Sequence, residues 1–123
     1  MRAFLFMAHE LLDTKKEEKR EDKAARKRRR ELADIRTVLK TPEGRRFYWR
    51  VMAHAGVFIR SYTGEVNSTM FNEGKRDVGN WLFNELFDAN PNIYTQMSQE
   101  NDSEVESEKR IEEMEQKQSD LLT

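Results

Sequence analysis

The chain has 123 residues, of which 37% are charged and 37% hydrophobic, and it contains no cysteine. This length allows one compact domain, and the charge content means that a good part of the chain lies outside a packed core. Disulfides, thiolate metal sites and cysteine nucleophiles are therefore excluded. The opening apolar run is interrupted by His9 and Glu10, too soon for a signal peptide. No stretch approaches the about 20 apolar residues of a membrane span, so the sequence predicts a soluble protein.

The net charge of −1 conceals a strong separation of charge along the chain. Residues 1–60 carry 17 Lys and Arg against 9 Asp and Glu, whereas residues 61–123 carry 5 against 14. Such a chain can present a basic arm to an acidic partner, or it can pair with copies of itself. Together with the distribution of apolar residues, this predicts a charged helical arm (1–32), a helical core domain (33–97) and an acidic C-terminal tail (98–123).

The first 40 residues contain neither Gly nor Pro and are rich in good helix formers, which predicts one long helix. Apolar residues recur at helical spacing at its start, at Phe4, Met7, Ala8, Leu11 and Leu12. In the middle, basic residues share one side of the helix: Lys15, Lys16, Lys19, Arg20, Lys23, Arg26, Lys27 and Arg30. Because like charges recur four residues apart, the segment is not optimised as an isolated salt-bridged helix. It is either a solvated charged helix or a surface built to meet a partner.

The central part of the sequence predicts an antiparallel helical hairpin. Thr41 and Pro42 are typical of an N-cap and first helical position, and Gly56 is typical of a left-handed residue after a helix end. In this helix we expect Phe47 and Val51 to point inward and Trp49 to point away. A further helix is predicted from about Ser68 to Ala89, before the stop at Asn90 and Pro91. Its expected buried side consists of Phe71, Val78, Leu82, Leu86 and Ala89.

Two glycines lie inside this predicted helix, Gly74 and Gly79. Each costs about 1 kcal/mol relative to alanine, so we expect each to allow a close approach, either to another helix or to a partner. After the hairpin, the tail carries nine acidic and three basic residues with a sparse apolar set that includes Ile111 and Met114. The tail is either disordered until bound or a weak amphipathic helix. The predicted fold class is all-α.

No catalytic, cofactor-binding or metal-binding constellation is found, so the sequence predicts a protein that is not an enzyme. The segment from Glu73 to Gly79 lacks the spacing of a phosphate-binding loop. His9 and His54 lie in different helices without a carboxylate spaced for a metal pair. The cluster from Arg45 to Arg50 leaves three readings for Trp49: packing against the first helix, a protein interface, or stacking on nucleic acid.

Three motifs resemble a small family of tailed-bacteriophage proteins whose founding member comes from a Bordetella podophage. They are TPEGRRFYWR (Thr41–Arg50), AGVF (Ala55–Phe58) and NEGKRDVGNWL (Asn72–Leu82). The resemblance covers about half of the chain, over residues 34–96. It implies a virion or virion-assembly protein, near the portal or inside the head, but supplies no functional residues. The charged first helix and the acidic tail lie outside it.

These observations favour a non-enzymatic structural or assembly protein of a podophage-like virion, assembled in the host bacterial cytoplasm. Its expected partners are other phage structural proteins and further copies of itself. The alternative is a DNA-contacting packaging or ejection accessory that uses the basic side of the first helix, and a scaffolding role is a third hypothesis. The candidate interface residues are Phe4, Leu11, Leu12, Lys15, Lys19, Lys23, Arg26, Arg30, Trp49, Gly74, Gly79, Ile111 and Met114.

Overall fold

The computed structural model describes residues 1–123 as four α-helices without a strand. They are α1 (Arg2–Val38), α2 (Pro42–His54), α3 (Val66–Ala89) and α4 (Ile93–Leu122). The all-α class predicted from the sequence is therefore confirmed. The chain divides into two units, Met1–Asp34 and Ile35–Thr123.

The first unit is formed by most of α1, a helix of 37 residues that is unbroken through its basic middle. None of its residues is buried, so packing contributes little to its stability. Its helical conformation instead follows from sequence, because Ala, Leu, Arg, Lys and Glu are strong helix formers and no Gly or Pro interrupts them.

In the second unit, both ends of α2 are determined by local capping. The hydroxyl oxygen of Thr41 accepts a hydrogen bond from the Gly44 N–H at 3.0 Å, and Pro42 occupies the first turn. At the other end, Gly56 has a φ of 82°, and the Val57 N–H donates to the carbonyl of Met52. Together with the bond from the Gly56 N–H to the carbonyl of Ala53, this bond forms a Schellman motif. The predicted start and end of α2 are therefore confirmed.

Helices α2, α3 and the first turns of α4 enclose one small core, to which Leu39, Tyr48, Met52, Leu86, Ile93 and Met97 contribute. The expectation that Phe47 points inward is wrong, because Tyr48 and Met52 form the buried side of α2 and Phe47 is exposed. The prediction that Phe71 and Val78 are buried is also wrong, because both side chains are exposed. The reason is length: α2 has 13 residues against 24 in α3, and the buried residues of α3 all lie from Gly79 onward.

The acidic tail does not begin as a separate segment, because α4 starts at Ile93 and continues to Leu122. Ile93 and Met97 are buried in the core, whereas the residues beyond Asn101 are exposed. The core thus anchors the first turns, and propagation of a helix beyond an existing turn costs less than starting one. The tail is therefore the outer part of a single 30-residue helix.

Replacement of Tyr48 by phenylalanine is expected to lower the free energy of unfolding by about 1 kcal/mol. The Tyr48 hydroxyl donates to the carbonyl of Leu82, which joins α2 to α3. Burial, and secondarily the charge of Glu85, raises the pKa of Tyr48 to about 12. Urea denaturation should detect the loss, and Tyr62→Phe is the matched control because Tyr62 is exposed. Equal effects of the two substitutions would contradict this account.

Candidate interaction surfaces

One side of α1 presents apolar residues for three turns and then basic residues for four or five. Placing successive residues about 100° apart puts the following on that side: Phe4, Leu11, Leu12, Lys15, Lys19, Lys23, Arg26 and Arg30. All eight are exposed. All the α1 residues that the sequence suggested as interface candidates are therefore exposed. Because α1 is one unbroken helix, its apolar and basic parts lie in line on the same side. We call these eight residues the α1 surface.

A groove of about 1150 Å³ runs between α2 and α4. Its exposed apolar residues are Phe47, Phe58 and Val105, which are 56%, 42% and 48% exposed. Trp49 and Met97 also line it, and Arg46 and Arg50 lie on the α2 side. On the α4 side the lining includes Glu104, Glu108 and Glu112, which recur every four residues and so form one acidic edge.

One wall of this groove is held by an ion pair between α2 and α4. Arg45 Nε lies 3.1 Å and 3.0 Å from the two carboxylate oxygens of Glu100. The same guanidinium donates through Nη1 to the carbonyls of Leu39 and Lys40. The hydrogen bond from Arg45 lowers the pKa of Glu100. With its side chain only 11% exposed, Arg45 is a structural residue that joins the start of α2 to α4.

Trp49 does not point away from the protein. It is half-buried and stacks on Phe58 at a centroid distance of 4.8 Å and on Tyr94 at 5.7 Å. Tyr94 in turn contacts Phe83 and Phe87. The ring therefore extends the core as part of an aromatic cluster and also lines the groove. Of the interpretations that the sequence left open for Trp49, packing within the chain is the one for which the structure shows contacts, and Phe58 and Tyr94 provide them.

The two glycines of α3 differ in their surroundings. A Cβ at Gly79 would lie 2.5 Å from Val57 Cγ2 and 2.8 Å from Ala55 Cβ, so Gly79 serves close packing against the end of α2. At Gly74 nothing lies within 4 Å of such a Cβ, which excludes a close approach inside the chain. Gly74 lies in the part of α3 before Gly79, which has no buried residue and whose exposed apolar residues are Val66, Met70, Phe71 and Val78.

Ile111 and Met114 lie on the outer part of α4 and are exposed. The structure thus brings none of the candidate residues of α4 into the core. Sequence reasoning missed Phe47, Phe58 and the acidic edge as parts of one groove. The four-residue spacing of Glu104, Glu108 and Glu112 was visible in the sequence, whereas their position opposite two exposed aromatic rings depends on how α2 packs on α4.

No group of three or more His, Asp and Glu side chains in the structure is arranged to hold a metal ion. None of the four helices is long and apolar enough to cross a membrane. These features define an all-α protein that combines a small helical core with two long charged helices.

Residues 35–99 match the Bbp19-like phage protein family, and the chain belongs to that family. No curated protein and no solved structure shows significant similarity to the chain. The family region comprises the end of α1, the hairpin and the first turns of α4. The whole α1 surface and the outer part of α4 therefore lie outside the region that the family shares.

Proposed function

We propose that this phage protein is a non-enzymatic structural or assembly component of a tailed, podophage-like virion. It acts through helix-mediated and electrostatic contacts with neighbouring virion proteins, is present in several copies, and is assembled in the host bacterium. Its place is inside the head or near the portal.

The observation that carries this proposal is the exposure of two long, oppositely charged helical segments that lie largely outside the family region. Residues 15–30 of α1 hold ten basic and four acidic residues, a net charge of +6, and residues 98–123 hold three basic and nine acidic, a net charge of −6. Single exposed ion pairs contribute only about 0.2–1 kcal/mol, but many of them across repeated copies accumulate avidity. An assembly protein gains from such surfaces, which have no use in a catalytic pocket.

Mass spectrometry of purified virions and of assembly intermediates from infected cells tests the proposal. We expect the chain in virions at several copies per particle, or in intermediates alone if it acts only during assembly. Its absence from both, with the chain abundant in the infected cell, would overturn the proposal. Copy number relative to a known ring or shell protein would further distinguish the portal from the head interior.

The exposed basic side of α1 favours one second candidate, a DNA-contacting packaging or ejection accessory. Such binding would weaken steeply with salt because phosphate contacts release counterions. Duplex DNA binding should be measured over a salt series for the full chain and for a variant lacking residues 107–123. This truncation removes much of the acidic helix but keeps Glu100 and its ion pair with Arg45. If neither protein binds at low salt, the DNA hypothesis is excluded.

A further inference from the structure

The groove between α2 and α4 is suited to one kind of occupant. Phe47, Phe58 and Val105 leave apolar area exposed within it, and burial of such area against a partner favours association. The edge formed by Glu104, Glu108 and Glu112 adds negative charge on the α4 side. A helix with apolar residues on one side, followed along the same side by positive charges, would satisfy both features.

The α1 surface has this composition and order. Phe4, Leu11 and Leu12 occupy its first three turns and are all more than half exposed. Lys15, Lys19 and Lys23 continue on the same side over the next turns. Its apolar part thus matches the apolar lining of the groove, and its basic part has the sign opposite to the acidic edge.

We propose that the start of α1 from a second copy of this chain docks in the groove, with Phe4, Leu11 and Leu12 against Phe47, Phe58 and Val105. Lys15, Lys19 and Lys23 then lie along the acidic edge and the outer part of α4. This proposal rests on the proposed function, because it assumes that these helices act by protein contacts. It adds the identity of the partner, which is a second copy of the chain.

The order of charges determines the direction of the docked helix. Glu108, Glu112 and Glu115 follow Val105 toward the C-terminus of α4. If apolar residues of α1 lie at the level of Val105, lysines further along α1 reach these carboxylates only when α1 runs parallel to α4. The distances agree, because Leu11 to Lys19 spans about 12 Å of helix and Val105 to Glu112 about 10 Å.

A second copy, rather than the same chain, supplies the occupant because α1 is unbroken. It runs from Arg2 to Val38 without Gly or Pro, so a fold-back within it would break backbone hydrogen bonds. Two chains that exchange their α1 segments would each fill the groove of the other. Exchange between successive copies would instead build an open array.

The natural chain lacks cysteine, so pairs of single substitutions test the contact directly. Leu11→Cys and Val105→Cys variants of the full chain should be purified separately, mixed and mildly oxidised. We expect a disulfide-linked dimer that contains one copy of each variant, formed about tenfold more than with the control pair, because docking raises the effective concentration of the two thiols. The control replaces V105C by E106C, since Glu106 is exposed on another side of α4.

Equal crosslinking of the two pairs, or none, would overturn the proposal. The proposal would also be overturned if a chain carrying both L11C and V105C formed an internal disulfide while the mixed single variants formed none. The occupant of the groove would then be α1 of the same chain. Direction is tested with K19C, which should join E112C and not a cysteine placed at Ala53. If K19C prefers the cysteine at position 53, the parallel arrangement is wrong.

Charge reversal provides a test that a folding defect would not mimic. Replacing Lys15, Lys19 and Lys23 by Glu should weaken self-association measured by sedimentation at least about tenfold. Mixing this variant with a chain carrying E108K, E112K and E115K should restore it, and failure of rescue would argue against the contact. A chain found in virions that stays monomeric when purified at high concentration would reject this inference while leaving the proposed function intact.

Discussion

Replacement of Gly44 by alanine is expected to lower the free energy of unfolding by about 3 kcal/mol, the upper range for overpacking. A Cβ at this position would lie 1.8 Å from the carbonyl oxygen of Val38 and 2.9 Å from its carbon. Both are backbone atoms of the junction between α1 and α2, so the new methyl group can be accommodated only if that junction moves. Urea denaturation followed by circular dichroism measures the loss.

The other helical glycines are matched controls for this prediction. Gly74→Ala meets open space and should raise the free energy of unfolding by about 1 kcal/mol through helix propensity. Gly79→Ala meets the side chains of Val57 and Ala55, which can shift in part, and should lower it by about 1–2 kcal/mol. The expected order of stability is therefore G74A, the natural chain, G79A and G44A. A G44A protein as stable as the natural chain would contradict the close approach of α1 and α2.

Replacement of Arg45 by methionine is expected to lower the free energy of unfolding by about 2–3 kcal/mol. The substitution removes the bonds to the Leu39 and Lys40 carbonyls and leaves Glu100 without its ion-pair partner, with only the Gln96 amide still donating to it. Methionine keeps much of the apolar length of the arginine stem, so the loss reports mainly on the polar contacts. Arg46→Met is the control, because Arg46 is exposed and contacts only Glu43 at 3.9 Å among the ion pairs described.

The same ion pair predicts a pH dependence. The hydrogen bond from Arg45 lowers the pKa of folded Glu100, so the stability that this carboxylate contributes is present above its unfolded pKa. It is lost as the pH falls through the lowered folded pKa. Relative to Glu100→Gln, the natural chain should therefore be more stable at neutral pH, and the difference should shrink below about pH 4. Glu113→Gln is the matched control, because it makes an equal charge change on the exposed part of α4 and leaves the bond between Arg45 and Glu100 in place.

Local signals in the sequence predicted both ends of α2, whereas the start of α4 at Ile93 was not predicted. Thr41 with Pro42 and Gly56 identify the two ends of α2 because capping involves hydrogen bonds between residues only a few positions apart. The absence of Gly and Pro likewise predicted α1. These features need no knowledge of what packs against them.

Burial within the elements was predicted less well. Phe71 and Val78 have the spacing of a buried helical side, yet the short α2 leaves them uncovered. Conversely, Tyr48 rather than Phe47 enters the core, because the position of α3 determines which side of α2 is covered. Hydrophobic periodicity identifies an apolar side of a helix, but neighbouring elements determine whether it is buried.

The sequence by itself determined the all-α class, the phage family, the charge separation and the basic side of α1. It did so because propensity, capping and charge spacing operate over one or a few turns of helix. Only the tertiary structure decided that Gly79 packs closely while Gly74 is open, that Trp49 stacks on Phe58 and Tyr94, and that α2 and α4 form a groove with an acidic edge. These features join residues that are far apart in the chain, and their contacts depend on how the helices pack.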